Sequence, residues 1–192
     1  MASWKFRFRR FVYSTRGLWL LLAQFALLYL KHETGIKVSL PLYIAALFIA
    51  LAAQTYRTWA AGFVGTTARG RVALGEVLIT AGPYAYVRNP MYMGIMLIMM
   101  AFCLMSGLWF SPLITLGVYA FVYAKVIPYE EQYLSQKFRT EYESYRSRVP
   151  RLWPTLRPYS SRQGHFDLRE GLSNEVFAVP GLLIVAGLFY FA

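Results

Sequence analysis

Two polar stretches of this 192-residue chain carry the side chains that could do chemistry. The first is the turn GPYAYVRNP, which directly precedes an apolar run and contains Arg88, Asn89 and Pro90. Pro83 and Pro90 fix φ at about −65° and favour extended backbone at the preceding residues, Gly82 and Asn89. We expect Pro90 to begin a helix that Asn89 caps, where the helix N-terminus and Arg88 favour a carboxylate or phosphate. A cap beside an interfacial arginine that reaches lipid headgroups would explain this segment equally well.

The second stretch, IPYEEQYLSQKFRTEYESYRSRVPRLWP, begins with two adjacent carboxylates. Glu130 and Glu131 follow an apolar run and a proline, where unpaired charges are costly. They form salt bridges with Arg148 or Arg151, or they bind a ligand that carries hydroxyl groups or a cation; the sequence leaves both interpretations open. The stretch also supplies four tyrosines: Tyr129, Tyr133, Tyr142 and Tyr145.

The composition is that of an integral membrane protein. Hydrophobic residues make up 57% of the chain and charged residues only 15%, against about 25% charged in soluble domains. In a membrane protein the net charge of +11 reports topology, so we expect no nucleic-acid partner. The single Cys103 lies in an apolar run, and His32 and His165 are far apart. We therefore expect neither a disulfide nor a metal site.

Apolar runs predict about five membrane spans within a single domain over residues 1–192. We place the spans at about residues 11–30, 38–56, 91–110, 113–127 and 176–192. Residues 57–82, which contain five glycines, are too polar for lipid and are predicted at the interface. With a cytoplasmic N-terminus, only Lys31 and Lys37 of the 20 Lys and Arg residues lie outside, as the positive-inside rule requires. The prediction is an all-α, multi-pass transmembrane bundle with its N-terminus in the cytoplasm.

The third and fourth spans are separated only by a Ser-Pro step, which predicts a tight helical hairpin. The hairpin brings both polar stretches to the cytoplasmic membrane face. Four residues of the second stretch recur at spacings of four, four and three, typical of one face of an interfacial amphipathic helix: Leu134, Phe138, Tyr142 and Tyr145. We therefore predict an interfacial catalytic region within residues 80–154.

The two stretches together resemble the integral-membrane methyltransferases that include isoprenylcysteine carboxyl methyltransferase and the phospholipid N-methyltransferases. The first signature of that family is Gly-x-Tyr-x-x-x-Arg-(His/Asn)-Pro-x-Tyr-x-Gly. It is complete here in Gly82, Tyr84, Arg88, Asn89, Pro90, Tyr92 and Gly94. The second signature, a Glu pair followed by spaced aromatic residues and two prolines, is formed by Glu130, Glu131, Leu134, Phe138, Tyr142, Tyr145, Val149, Pro150 and Pro154.

This resemblance implies a cytoplasmic-side pocket for S-adenosylmethionine and a lipophilic acceptor that arrives from the membrane lipids. It places Arg88, Asn89 and Pro90 at the amino-acid end of the methyl donor, and Glu130 and Glu131 at its ammonium or ribose. The implied roles of the other site residues are to orient the acceptor or the donor carboxylate (Arg148 and Arg151) and to line the pocket (Tyr84, Tyr92, Gly94, Tyr129 and Tyr142). For an amine acceptor, Glu130 or Glu131 is the obvious general base.

Two departures from the family pattern bear on the interpretation. Arg139 stands where the family commonly has Gly, and Asn89 stands where the isoprenylcysteine branch has His. Asn cannot ionise, so the acceptor stays open between a lipid amine and a lipid-linked carboxylate. A nicotinamide-dependent membrane reductase and a non-catalytic lipid-binding or transport protein are the alternatives. The sequence assigns no role to residues 155–192 and no oligomeric state.

Overall fold

The computed structural model describes residues 4–64 and 77–192. Within these ranges the chain forms six α-helices and no strand, which confirms the all-α prediction. The helices are α1 (Trp4–Thr34), α2 (Leu40–Val64), α3 (Pro90–Ser106), α4 (Ser111–Arg148), α5 (Leu168–Asn174) and α6 (Ala178–Phe191), and a 3-10 turn covers Gly82–Ala85. Residues 65–76 of the glycine-rich segment predicted at the interface, including Arg69, Arg71 and Glu76, lie outside the described residues.

Three of the described helices are long and apolar enough to cross a bilayer: Arg7–Thr34 of α1, α2 and α4. The pair α5 and α6, bent by 45°, makes a fourth if it forms one span. The apolar helix α3 has 17 residues, which is about the lower limit for a span. The multi-pass helical bundle is therefore confirmed, with three or four helices of spanning length where the sequence predicted about five spans.

The chain divides into two compact units. The first consists of Met1–Leu51, Met96–Tyr129 and Pro180–Ala192. In it Phe102 stacks on Phe189 at 5.8 Å between ring centroids, and the Tyr43 hydroxyl donates a hydrogen bond of 2.8 Å to the Ala186 carbonyl. The third predicted span was placed four residues too far, because Gly107 takes a φ of +70° and ends α3 at Ser106.

The second unit consists of Ala52–Ile95 and Glu130–Val179. Its core is formed by Leu78, Ala85, Tyr142, Tyr145, Val149 and Tyr159, with Leu134 and Phe138 packed against them. All four residues of the predicted amphipathic face therefore contribute to one hydrophobic cluster. The short helix α5 begins at Asp167, whose side chain accepts hydrogen bonds from the amides of Arg169 and Glu170.

Helix α4 differs from the prediction at two positions, Pro128 and Arg139. The fourth span was predicted to end at residue 127, but α4 continues through Pro128 to Arg148. The fixed φ of proline is compatible with a helix, and Pro128 removes only its own N–H donor from the helical hydrogen bonds. The helix is interrupted at Arg139, with φ 44° and ψ −117°. Ser135 donates a hydrogen bond of 2.7 Å to Glu143 across this break. Eight residues of straight helix would span about 12 Å, so the chain folds back at Arg139.

Candidate active site

The turn that carries Arg88 is fastened to the segment that follows α4. The Arg88 amide donates to the Pro150 carbonyl, the Thr155 amide to Tyr86, and the Tyr159 amide to Ala85, each at 2.9 Å. These backbone bonds place the start of α3 beside residues 150–159. The two polar stretches of the sequence are thus neighbours, as the hairpin argument predicted.

Two features of this turn depend on its proline and glycine residues. Pro90 is the first residue of α3, as predicted. Gly82 was predicted to be extended but has φ +59°, a left-handed conformation that glycine adopts at little cost. A Cβ at this position would lie 2.2 Å from a ring carbon of Phe63. Both the backbone conformation and the lack of space therefore require glycine at the start of the turn.

Glu131 is the centre of the site. Its side chain is buried and lies between two guanidinium groups. Arg88 Nη2 lies 3.2 Å from Oε1, while Arg151 donates through Nη2 to Oε2 at 2.5 Å and through Nε to Oε1 at 3.2 Å. The hydrogen bond with Glu131 is the main cause that raises the pKa of Arg151 above its ordinary value. Two positive charges surround this one carboxylate.

Arg88 keeps hydrogen-bonding capacity that its neighbours do not use. Its side chain is only 9% exposed. Among the described residues, its Nε and Nη1 atoms and the hydroxyl of Tyr142 are buried and make no hydrogen bond of good geometry, although Arg88 and Tyr142 lie close enough to interact. Buried polar groups are nearly always paired in folded proteins. These groups are therefore the donors best placed to hold a ligand next to Glu131.

A second carboxylate, Glu130, lies among phenol groups. The Tyr92 hydroxyl donates a hydrogen bond of 2.5 Å to Glu130 Oε1. Burial raises the pKa of Tyr84 far above its ordinary value, and the negative charge of Glu130 raises it further. Tyr84 consequently remains a neutral phenol at physiological pH. Glu130 and these phenols can accept and donate hydrogen bonds to hydroxyl or ammonium groups.

Asn89 has a partner that the sequence did not predict. Its side-chain amide nitrogen donates a hydrogen bond of 3.0 Å to the backbone carbonyl of Arg151. This bond holds the residue that pairs with Glu131. The position that departs from the isoprenylcysteine branch therefore contributes to the site by fixing the backbone at Arg151.

Three other predicted site residues have contacts outside the Glu131 cluster. Arg148 is exposed, with its guanidinium carbon 6.0 Å from the ring centroid of Tyr159. Tyr129 packs its ring at 5.3 Å from that of Tyr13, within the first unit. Gly94 lies against Arg57: a Cβ added at Gly94 would be 2.3 Å from Arg57 Cγ. The contacts of Gly94 are those of close packing between α2 and α3.

A second buried ion pair was missed by the sequence reasoning. Glu175, in the link between α5 and α6, pairs with Arg57 Nη2 at 3.0 Å and accepts a hydrogen bond of 2.9 Å from Gln54. Arg57 follows the second predicted span and Glu175 precedes the last one. The sequence offered one indication of this pair: an ionisable residue stands at the end of each of two apolar runs. No group of His, Cys, Asp and Glu among the described residues could hold a metal ion.

Comparisons with known proteins agree with the two signatures. The model of the phospholipid methyltransferase family matches residues 39–141, more than half of the chain, and ends before Arg148 and Arg151. The chain is also similar to protein-S-isoprenylcysteine O-methyltransferase of Schizosaccharomyces pombe, with 36% identity over 75 residues. That similarity covers 39% of this chain and only 32% of the relative. No solved structure matches the chain significantly.

Proposed function

This chain belongs to the phospholipid methyltransferase family, and we propose that it transfers a methyl group from S-adenosylmethionine to a lipophilic acceptor. The acceptor class is a lipid amine or a lipid-linked carboxylate, reached at the cytoplasmic membrane face. The observation that supports this proposal most directly is the arginine–glutamate cluster around Glu131. It combines a surplus of positive charge with buried donors on Arg88 that lack partners among the described residues.

The chemistry of the methyl donor fits the groups present. S-adenosylmethionine has a carboxylate, an ammonium group and two ribose hydroxyls. Arg88 Nε and Nη1 point to different sides of the guanidinium, so each can donate one charge-assisted hydrogen bond to a ligand oxygen, such as an oxygen of the donor carboxylate. Glu130 suits the ammonium or the hydroxyls, since an ionised carboxylate only accepts hydrogen bonds. The ring faces of Tyr84 and Tyr92 suit the positively charged sulfonium, whereas the ring of Tyr142 is packed in the hydrophobic core.

When bound, the donor supplies an activated methyl group for in-line displacement by the acceptor atom. The chain contributes mainly by orienting the two reactants, which is worth up to about 7–11 kcal/mol in favourable intramolecular reactions. Arg151 holds Glu131 in place through two hydrogen bonds, and Asn89 holds Arg151. An amine acceptor must first lose a proton, for which Glu130 is the candidate base. A carboxylate acceptor is already ionised at pH 7 and needs no base.

The cytoplasmic orientation rests on the distribution of charge. The residues of the site precede α3 or follow the apolar part of α4, on the side where most of the Lys and Arg residues lie. Positive charge is concentrated in cytoplasmic loops of membrane proteins. Protease protection of terminal tags in sealed vesicles tests this orientation.

Methyl-labelled S-adenosylmethionine, incubated with the purified chain in its own membrane lipids, tests the proposed reaction. We expect label in the lipid fraction from the parent and from Glu175→Gln, and little from Arg88→Gln. Label released as methanol by base identifies a methyl ester, and base-stable label in an amine lipid identifies N-methylation. A parent protein that binds NADPH but not S-adenosylmethionine would overturn the proposal in favour of a reductase.

A further inference from the structure

The loop at residues 151–157 displays two large apolar side chains on an anchored backbone. Trp153 is 72% exposed and Leu156 is 98% exposed. The hydrogen bonds from Arg88 to Pro150, from Thr155 to Tyr86 and from Tyr159 to Ala85 fix the backbone on both sides. The two side chains therefore project from a loop whose backbone is fixed by hydrogen bonds.

The same hydrogen bonds place this loop at the edge of the membrane. Its partners, residues 85–88, directly precede the apolar helix α3. The 17 residues of α3 are about 25 Å long at 1.5 Å per residue, close to the hydrocarbon thickness of about 30 Å. If α3 crosses the hydrocarbon, as the sequence predicts, the turn before it lies at the boundary between hydrocarbon and headgroups. Trp153 and Leu156 are held at that depth, where tryptophan is enriched in membrane proteins.

The charge around the loop matches an anionic surface. No acidic residue occurs between Glu143 and Asp167. The same interval contains five arginines: Arg146, Arg148, Arg151, Arg157 and Arg162. Arg157 is exposed and follows Leu156 directly. Arginines near an anionic leaflet are attracted to its lipid headgroups.

We propose that residues 151–157 form a membrane-contact loop that docks on anionic phospholipid. Trp153 and Leu156 insert at the level of the acyl-chain boundary, and Arg157 binds lipid phosphate. Because Arg151 belongs to the same loop and pairs with Glu131, this contact ties the candidate site to the membrane surface. The contact requires only that the chain is an integral membrane protein, so it would hold whichever acceptor is methylated.

Spin labels attached at single cysteines test the contact in vesicles of phosphatidylcholine with phosphatidylglycerol. The native Cys103 is buried, so the parent chain measures background labelling. Leu156→Cys reports the predicted inserted position, and Ser160→Cys, also exposed and on the same segment, is the matched control. We expect the label at position 156 to be accessible to oxygen and protected from a water-soluble nickel chelate. The label at position 160 should show the reverse.

Two outcomes would overturn the proposal. Equal exposure of both labels to the nickel chelate would place the loop in water. Spin–spin broadening at position 156 that disappears on dilution with unlabelled protein would show that a second copy of the chain covers the loop. In the same vesicles, Arg157→Gln should move the label at position 156 outward, and only when phosphatidylglycerol is present. An unchanged depth would contradict the headgroup contact.

Discussion

Two carboxylates in the second unit, Glu131 and Glu175, are almost equally buried and both pair with arginine. Their surroundings differ in charge. Glu131 faces two guanidinium groups, whereas Glu175 faces one guanidinium and the neutral amide of Gln54. Two nitrogens of Arg88 and only one of Arg57 lack a partner among the described residues. The proposed site at Glu131 is therefore distinguished from the Glu175 pair by its surplus of positive charge and by the donors of Arg88, not by burial of the carboxylate.

The position of each pair along the chain supports the same distinction. Glu131 connects the turn before α3 with the segment after α4, both within the interfacial region predicted from sequence. Glu175 connects the C-terminal part of α2 with the link between α5 and α6. The first pair is suited to a ligand, and the second fastens the C-terminal segment. Substitutions that separate activity from stability can test this assignment.

The largest effect is expected from Glu131→Gln. The substitution leaves the buried guanidinium of Arg88 and the partly exposed guanidinium of Arg151 without the carboxylate that pairs them. We expect the rate of methyl transfer to fall by about 10²–10³-fold, the usual loss when one preorganised electrostatic group is removed. Initial rates of label transfer to lipid measure this, with Glu175→Gln as the matched control. Equal losses in the two variants would remove the distinction between the carboxylates.

Glu175→Gln should mainly reduce stability. Removing one partner of a fully buried pair costs about 3–5 kcal/mol, and the 19% exposure of the Arg57 side chain lowers our expectation to about 2–3 kcal/mol. Thermal unfolding in detergent should show a melting temperature lower by about 2–4 °C for each kcal/mol. The affinity of the folded protein for S-adenosylmethionine should stay at the parent value. A weaker affinity with unchanged stability would assign Glu175 to the ligand site.

The neighbourhood of Glu131 was predicted well from the sequence. Membrane spans follow from local apolar runs, and the short link between α3 and α4 was enough to place the two polar stretches together. The salt bridge between Glu131 and Arg151 was one of the two interpretations considered, and the structure contains it. Both residues lie in one motif, 20 positions apart. Short separations of this kind can be inferred from topology.

The ion pair between Glu175 and Arg57 could not be predicted in the same way. Arg57 and Glu175 are 118 positions apart, and nothing in the local pattern indicates which charges meet. Gly94 illustrates the same limit. Its place in the family signature suggested a role in cofactor binding, whereas its surroundings are the Arg57 stem and the Ala53 carbonyl. The role of a glycine is set by what approaches it, which only the packing of α2 and α3 reveals.

Gly94→Ala should therefore lower stability by disturbing the ion pair between Arg57 and Glu175. The added methyl group would lie 2.3 Å from Arg57 Cγ, so Arg57 must shift away from Glu175. Overpacking of this kind costs about 1–3 kcal/mol, and thermal unfolding measures it. Gly117→Ala is the control, because a Cβ there meets nothing within 4 Å; it should leave stability equal or slightly higher. A weaker affinity for S-adenosylmethionine without loss of stability would instead support the cofactor role of Gly94.

The smallest effect concerns Arg139, whose conformation folds the second half of α4 back and so brings Arg151 to Glu131. With φ 44° and ψ −117° it occupies backbone space that glycine adopts more readily, and the family commonly has glycine here. Such strain costs about 1–3 kcal/mol. We expect Arg139→Gly to raise the free energy of unfolding by about 1 kcal/mol, because part of this gain is lost to the greater flexibility of glycine in the unfolded chain. Gln136→Gly, at an exposed helical position three residues earlier, should lower it by a similar amount. If both variants were destabilised equally, the break at Arg139 would not be strained, and the fold-back that supports Glu131 would have another cause.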